Sequence, residues 1–202
     1  MTTGLTARQC WRADVDRFRA DRPEMKGPLK RFRIILLTES LWAIGMYRFG
    51  QYLYFEAPSA VRALLWIPYE IAHKVLELIV DIHLWPDTRI GPGLYIAHYG
   101  GIWINPRATL GSNCNLAHGV TIGAPIGDAP VLGDRVFIGA GAVITGRVRI
   151  GSGAVIGANS LVVANLPENA VAIGVPARVL SYTGSAKLIP GLDHRAGHPI
   201  SF

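Results

Sequence analysis

From Leu132 to Val162 the chain reads LGDRVFIGAGAVITGRVRIGSGAVIGANSLV, with large aliphatic residues at Leu132, Ile138, Ile144, Ile150, Ile156 and Val162. The period is six. Recurrence at a fixed interval marks a repeat architecture, and testing for it decides the fold before single strands are assigned. Small residues follow most of the aliphatics (Gly133, Gly139, Gly151, Gly157), which suits a backbone turning tightly at every side of a triangular coil.

Upstream the same series runs through Ile90, Ile96, Ile104, Leu110, Leu116 and Ile122. Two insertions interrupt it, one at Ile102-Trp103 and one within Ile126–Val131. Taken three at a time, the repeats predict coils on Ile90/Ile96/Ile104, Leu110/Leu116/Ile122, Leu132/Ile138/Ile144 and Ile150/Ile156/Val162. Residues four places into the repeats (Ala108, Cys114, Val120, Val136, Ala142, Ala154, Ser160) are small enough to fill a narrow interior. Cys114 is thus expected in the core rather than as a reactive thiol. Stacked coils would pair their strands at about 4.8 Å.

The third residue of the middle repeat in each coil is His98, His118, Ala140 and Ala158 in turn. These should stack as one column. Two imidazoles followed by methyl-sized side chains make a groove with a proton acceptor at one end and room for a slender ligand along the rest. A neutral imidazole with a pKa near 6.5 can take the proton of an attacking hydroxyl, which makes His98 the candidate general base.

The stretch from Asp81 to Ser181 resembles the left-handed β-helix of the serine acetyltransferase family and its polysaccharide-modifying relatives, among the hexapeptide-repeat acyltransferases. The matching elements are Ile90-Gly91-Pro92-Gly93, His98 ahead of a Gly pair, Val120-Thr121-Ile122-Gly123, Ile138-Gly139-Ala140-Gly141-Ala142, Ile156-Gly157-Ala158-Asn159-Ser160 and Gly174-Val175-Pro176-Ala177-Arg178. They cover about half of the chain. The resemblance implies a mainly β protein: a left-handed parallel β-helix over residues 86–180, a small α-helical N-terminal region over 1–85 and a tail over 181–202. The general rule for parallel crossovers would have given the opposite hand.

It also implies an acetyl-CoA-dependent O-acetyltransferase without a metal. His98 corresponds to the family's catalytic histidine, and Asp81 to the carboxylate that orients it. The interval from Asp81 to His98 is two residues longer than the family's, near Leu84-Trp85, so Asp87 competes for that role. His118 is assigned to the acceptor pocket, with a purely structural role as the alternative. Coenzyme A contacts map onto Ala124, Ala140 and Ala158, and Arg178 would meet a cofactor phosphate. Family members are homotrimers with sites between adjacent β-helices, which would set His98 against the Ala124–Val131 loop of a neighbour.

The acceptor expected from sequence is a sugar hydroxyl, in polysaccharide biosynthesis. In serine acetyltransferases an aspartate precedes the catalytic histidine and holds the substrate's ammonium, whereas Ala97 stands here. The loop Ala124-Pro125-Ile126-Gly127-Asp128-Ala129-Pro130 also lacks their Arg-His pair. Free serine, with Asp128 recruited, is the alternative.

A net charge of +6 favours an anionic partner, and no nucleic-acid-binding motif accompanies it. Two distant cysteines, Cys10 and Cys114, suggest neither a disulfide framework nor a zinc site. The charged N-terminus is unlike a secretory signal, so a cytoplasmic protein is expected. Apolar stretches around Ile34–Phe55 and Val61–Trp85 are interrupted by charges and fall short of the roughly 18 residues of a membrane span. They read as helices, with Ser59 as N-cap of the second, after a basic linker at Pro23–Lys30. Their faces either pack within the protein or its copies or make peripheral contact with the inner face of the membrane. His73 and His83 read as helix or junction residues, and His194 and His198 as tail.

Overall fold

Each aliphatic of the six-residue series lies in a short strand with its side chain inward, and strands of successive coils pair in parallel into three sheets. The computed structural model describes residues 4–20, 28–124 and 127–189. The first sheet contains β1 (Ile82–His83), β4 (Ile102–Ile104), β7 (Thr121–Gly123), β10 (Val143–Thr145) and β13 (Leu161–Val162). The second contains β2 (Arg89–Ile90), β5 (Thr109–Leu110), β8 (Val131–Leu132) and β11 (Arg149–Ile150). The third runs β3 (Tyr95–Ile96), β6 (Asn115–Leu116), β9 (Phe137–Ile138), β12 (Val155–Ile156), β14 (Val171–Gly174) and β15 (Ala177–Ser181). Only β15 runs antiparallel to its neighbour, folding back on β14 to close the stack.

The coils are those expected from the repeat. Ile104 pairs with Ile122, Ile144 with both Ile122 and Val162, and the other two sheets keep the same step at Ile90-Leu110-Leu132-Ile150 and Ile96-Leu116-Ile138-Ile156. Ala108, Cys114, Val120, Val136, Ala142, Ala154 and Ser160 are all buried between these layers. Burial pushes the Cys114 thiol up to about 12, and it donates to the carbonyls of Gly111 and Gly133, as suits a core residue.

Two details differ from expectation. The first insertion does not lie at Ile102-Trp103: Ala97 still bonds to Leu116, Gly119 bonds to Gly100 and Trp103 pairs with Thr121, so the extra residues fall in the turn between Ala97 and Gly100. The glycines after the aliphatics are also not the turning residues. A Cβ on Gly91 would stand 2.7 Å from the carbonyl carbon of Gly111 in the next coil, so these positions admit the neighbouring backbone. The turns themselves are made two residues later, where Gly93, Asn113, Arg135 and Gly153 take positive φ.

The N-terminal region comprises α1 (Ala7–Ala20), α2 (Pro28–Leu36), α3 (Glu39–Gln51), one π-helical turn (Tyr52–Glu56) and α4 (Ser59–Val80). The linker expected at Pro23–Lys30 lies largely outside the described residues, as do Pro125, Ile126 and the tail with His194 and His198. Ser59 does not cap α4: Pro58 occupies the cap, fixed at φ −54°, and Ser59 is the first helical residue. Since α4 ends at Val80 and β1 already belongs to the first sheet, the coil stack begins ahead of residue 86.

A buried polar knot seats the helices on the first coil. Arg48 of α3 donates to both carboxylate oxygens of Asp14 of α1, at 2.8 and 3.3 Å, and to the carbonyls of Ile90 and Gly91. Asp14 accepts in addition from the Leu94 amide at 2.8 Å, and the Tyr47 hydroxyl donates to the Thr88 carbonyl. Further along α1, Phe18 packs on Tyr95 and Arg17 bonds Asn115, so α1 covers the start of the third sheet. The outer face of α4 carries Leu64, Ile67, Ile71, Val75 and Leu78, all more than half exposed. Among the described residues no helix is long and apolar enough to cross a membrane.

Candidate active site

The column predicted from the register is present. With Ile96, Leu116, Ile138 and Ile156 paired in one row, His98, His118, Ala140 and Ala158 follow two residues later at one corner of the prism. Main-chain bonds from Gly141 to His118 and from Asn159 to Ala140 tie its later steps together, whereas at the first step Gly119 bonds to the Gly100 carbonyl rather than to that of His98. The two imidazoles are exposed and meet edge to face, with ring centroids 6.0 Å apart. Beyond them in the column stand Ala140, half-buried, and Ala158, exposed, each with only a methyl side chain.

The turn after His98 is tightly held. Gly101, Gly119 and Gly141 share φ near +70°, and a Cβ on Gly101 would come within 3.2 Å of the Gly119 Cα. Gly101 donates its amide to Asp81 Oδ2 at 2.7 Å, while Asp81 Oδ1 faces His83 Nε2 at 3.2 Å. Asp81 can reach so far because it ends α4 in the left-handed conformation, with φ 52°. It therefore comes to the turn that carries His98 rather than to the imidazole. Asp87 lies exposed before the second sheet, away from this corner.

The cofactor residues divide between two places. Ala140 and Ala158 belong to the histidine column, whereas Ala124 follows β7 at the opposite edge of the first sheet, where the loop to β8 begins. In that loop Arg107 donates to the Gly127 carbonyl and Asp128 pairs with Arg147, both on the surface. Arg178 stands on β15 opposite Ile173, exposed and without an ion-pair partner among the described residues, near the Ala158 end of the column. Those residues include no cluster of three or more His, Cys, Asp or Glu placed to hold a metal ion. His73 is buried in α4 against the Leu84 carbonyl, and His83 sits where α4 passes into the first sheet.

Sequence reasoning passed over the partners of Asp81. His83 Nδ1 lies 3.4 Å from Glu77 Oε1, and its ring packs on Trp103 and Trp85. The signal available was the Asp81-Ile82-His83 triplet, which sets a carboxylate and an imidazole two residues apart at the end of α4.

Three-strand coils with a histidine-bearing corner define a hexapeptide-repeat transferase, and the bacterial transferase hexapeptide (six repeats) family matches residues 129–164. The chain is 30% identical over 175 residues to serine acetyltransferase of Synechococcus elongatus, covering 81% of this chain and 70% of that one. It is 41% identical over 116 residues to serine acetyltransferase of Mycobacterium tuberculosis, covering 55% and 48%; the chain spans about half of that relative's length. A solved serine acetyltransferase in complex with CoA superposes with a TM-score of 0.72 at 28% identity, covering 89% of this chain and 72% of that one. The chain belongs to the serine acetyltransferase family.

This membership corrects the acceptor expected from sequence. A kinship with polysaccharide-modifying enzymes rested on Ala97 and on the loop at residues 124–130, two local departures. The likeness to serine acetyltransferases runs over most of the chain, helices included, and overturns the sugar and polysaccharide reading.

Proposed function

We propose that the chain is an acetyl-CoA-dependent serine O-acetyltransferase, acting in cysteine biosynthesis. The observation that carries this reading is the stacked His98-His118-Ala140-Ala158 corner in a chain of that family. His98 takes the proton of the serine hydroxyl as the oxygen attacks, and later returns it to the departing thiol. Acetyl-CoA supplies the activated acyl group; Ala140, Ala158 and, across a neighbour, Ala124 would present main chain to its slender arm, and Arg178 a cation to its phosphates. Small side chains along the column suit that arm, since Ala140 and Ala158 carry only methyl groups. His118, at the second step of the column, faces the acceptor.

Thiol release from acetyl-CoA, corrected for hydrolysis, is expected to rise saturably with free serine. Because Ala97 leaves the ammonium without a carboxylate there, Ala97→Asp is expected to lower the KM for serine about tenfold, the worth of one charge-assisted hydrogen bond. Release no faster with serine than without it would overturn the assignment.

The functional unit is a homotrimer with sites between neighbouring β-helices. His98 and the loop after Ala124 flank the two edges of the first sheet, whose outward row runs His83, Trp103, Thr121, Val143 and Leu161 and carries no Asp, Glu, Lys or Arg. Packing that face against the next copy supports a site shared by one chain's histidine and another's loop. Light scattering is expected to return three chains; a fully active monomer would refute this. The enzyme is cytoplasmic and peripheral at the membrane through the exposed row on α4, which flotation with anionic vesicles tests.

A further inference from the structure

We propose that His83, held by Glu77, is a positioning residue that fixes the turn carrying the catalytic histidine. This rests on the reading of His98 as the base. The chain of contacts is continuous: Glu77 Oε1 to His83 Nδ1 at 3.4 Å, His83 Nε2 to Asp81 Oδ1 at 3.2 Å, and Asp81 Oδ2 to the Gly101 amide at 2.7 Å. Gly101 lies three residues beyond His98, at the point where the turn presses on the next coil.

Asp81 by itself is poorly restrained, since its side chain is 63% exposed. A carboxylate in that position samples several rotamers. An imidazole between two carboxylates donates to one of them when neutral and to both when protonated, and so selects the one rotamer that leaves the second Asp81 oxygen on Gly101. Glu77 is suited to anchor the chain: it is buried, and its other oxygen is taken by Lys74 Nζ at 3.1 Å. His73 Nε2, at 3.8 Å from Glu77 Oε1, and Tyr69, stacked on His73, are further titratable groups beside it.

Ring contacts complete the seat. His83 lies 4.9 Å from Trp103 and 6.2 Å from Trp85, centroid to centroid, and the two indoles meet edge to face. Trp85 thus helps wall in His83, and the neighbouring Leu84 supplies the carbonyl that holds His73.

The experiment uses the full chain in three forms. His83→Phe keeps the ring packing and removes both nitrogens, and His83→Gln restores a donor toward Asp81. Two quantities are read: hydrogen exchange at the Gly101 amide, and kcat with KM for acetyl-CoA across the pH range. His83→Phe is expected to speed Gly101 exchange about tenfold or more and to lower kcat about 10- to 100-fold, with KM changed less than about twofold. His83→Gln is expected to recover kcat to within about threefold of wild type. Unchanged Gly101 exchange in a folded His83→Phe would sink the proposal, as would a His83→Gln variant as slow as His83→Phe, because packing alone would then account for the loss. If His83→Phe does not fold, Glu77→Gln gives the same reading, with faster Gly101 exchange expected and unchanged exchange fatal. Should wild type fail to turn over serine, the acceptor assignment falls, while Gly101 exchange still decides the positioning role.

Discussion

His98→Ala is expected to lower kcat by about 10²–10⁴, the range for losing general-base catalysis, with the coils intact. The imidazole is exposed at a corner and takes no part in the core, so its removal opens no cavity. The KM for acetyl-CoA should hardly move, because the alanine track along Ala140 and Ala158 is untouched. Wild-type kcat in a folded His98→Ala protein would require another base, and His118, 6.0 Å away between ring centroids, stands first. Circular dichroism separates that outcome from unfolding.

Asp14→Ala is expected to be the most destabilising of the substitutions considered, by about 3–5 kcal/mol, because it strands the Arg48 guanidinium without its carboxylate. Both side chains are fully enclosed, and the Leu94 amide would lose its acceptor in the same step. The double change Asp14→Leu with Arg48→Met should recover much of the loss, since well-packed apolar residues often replace a buried ion pair at little cost. Thermal melting of the three proteins checks both statements. A melting temperature for Asp14→Ala equal to that of wild type would mean that the knot contributes nothing to seating the helices.

The coil stack was legible because a period of six survives every surface substitution, and the histidine column followed from counting along it. Counting gives the number of extra residues in a coil but not their place, which is why the first insertion was put at Ile102-Trp103 and lies between Ala97 and Gly100. The Arg48–Asp14 knot could not be read: Arg48 interrupts an apolar run, and such a charge ordinarily marks a solvated face. Its partner is 34 residues away, beyond any local pattern. Asp81 was found through a resemblance, yet its bond to Gly101 depends on a left-handed residue at the end of α4 that no motif announces. The acceptor was misjudged because local departures at Ala97 and in the loop at residues 124–130 outweighed the likeness of the rest.

The fold-back of β15 on β14 also sets how long this molecule can grow. Parallel coils are self-similar, so an open last coil would offer its backbone as a template to the first coil of another chain, and copies could string together into a filament. Along the third sheet β15 takes that edge and reverses the strand direction, so a following coil would find no parallel row there to extend. At the other end the first coil lies beneath the helices anchored by Arg48 and Asp14. Along the third sheet the stack is thereby a counted object, ended by its own chain.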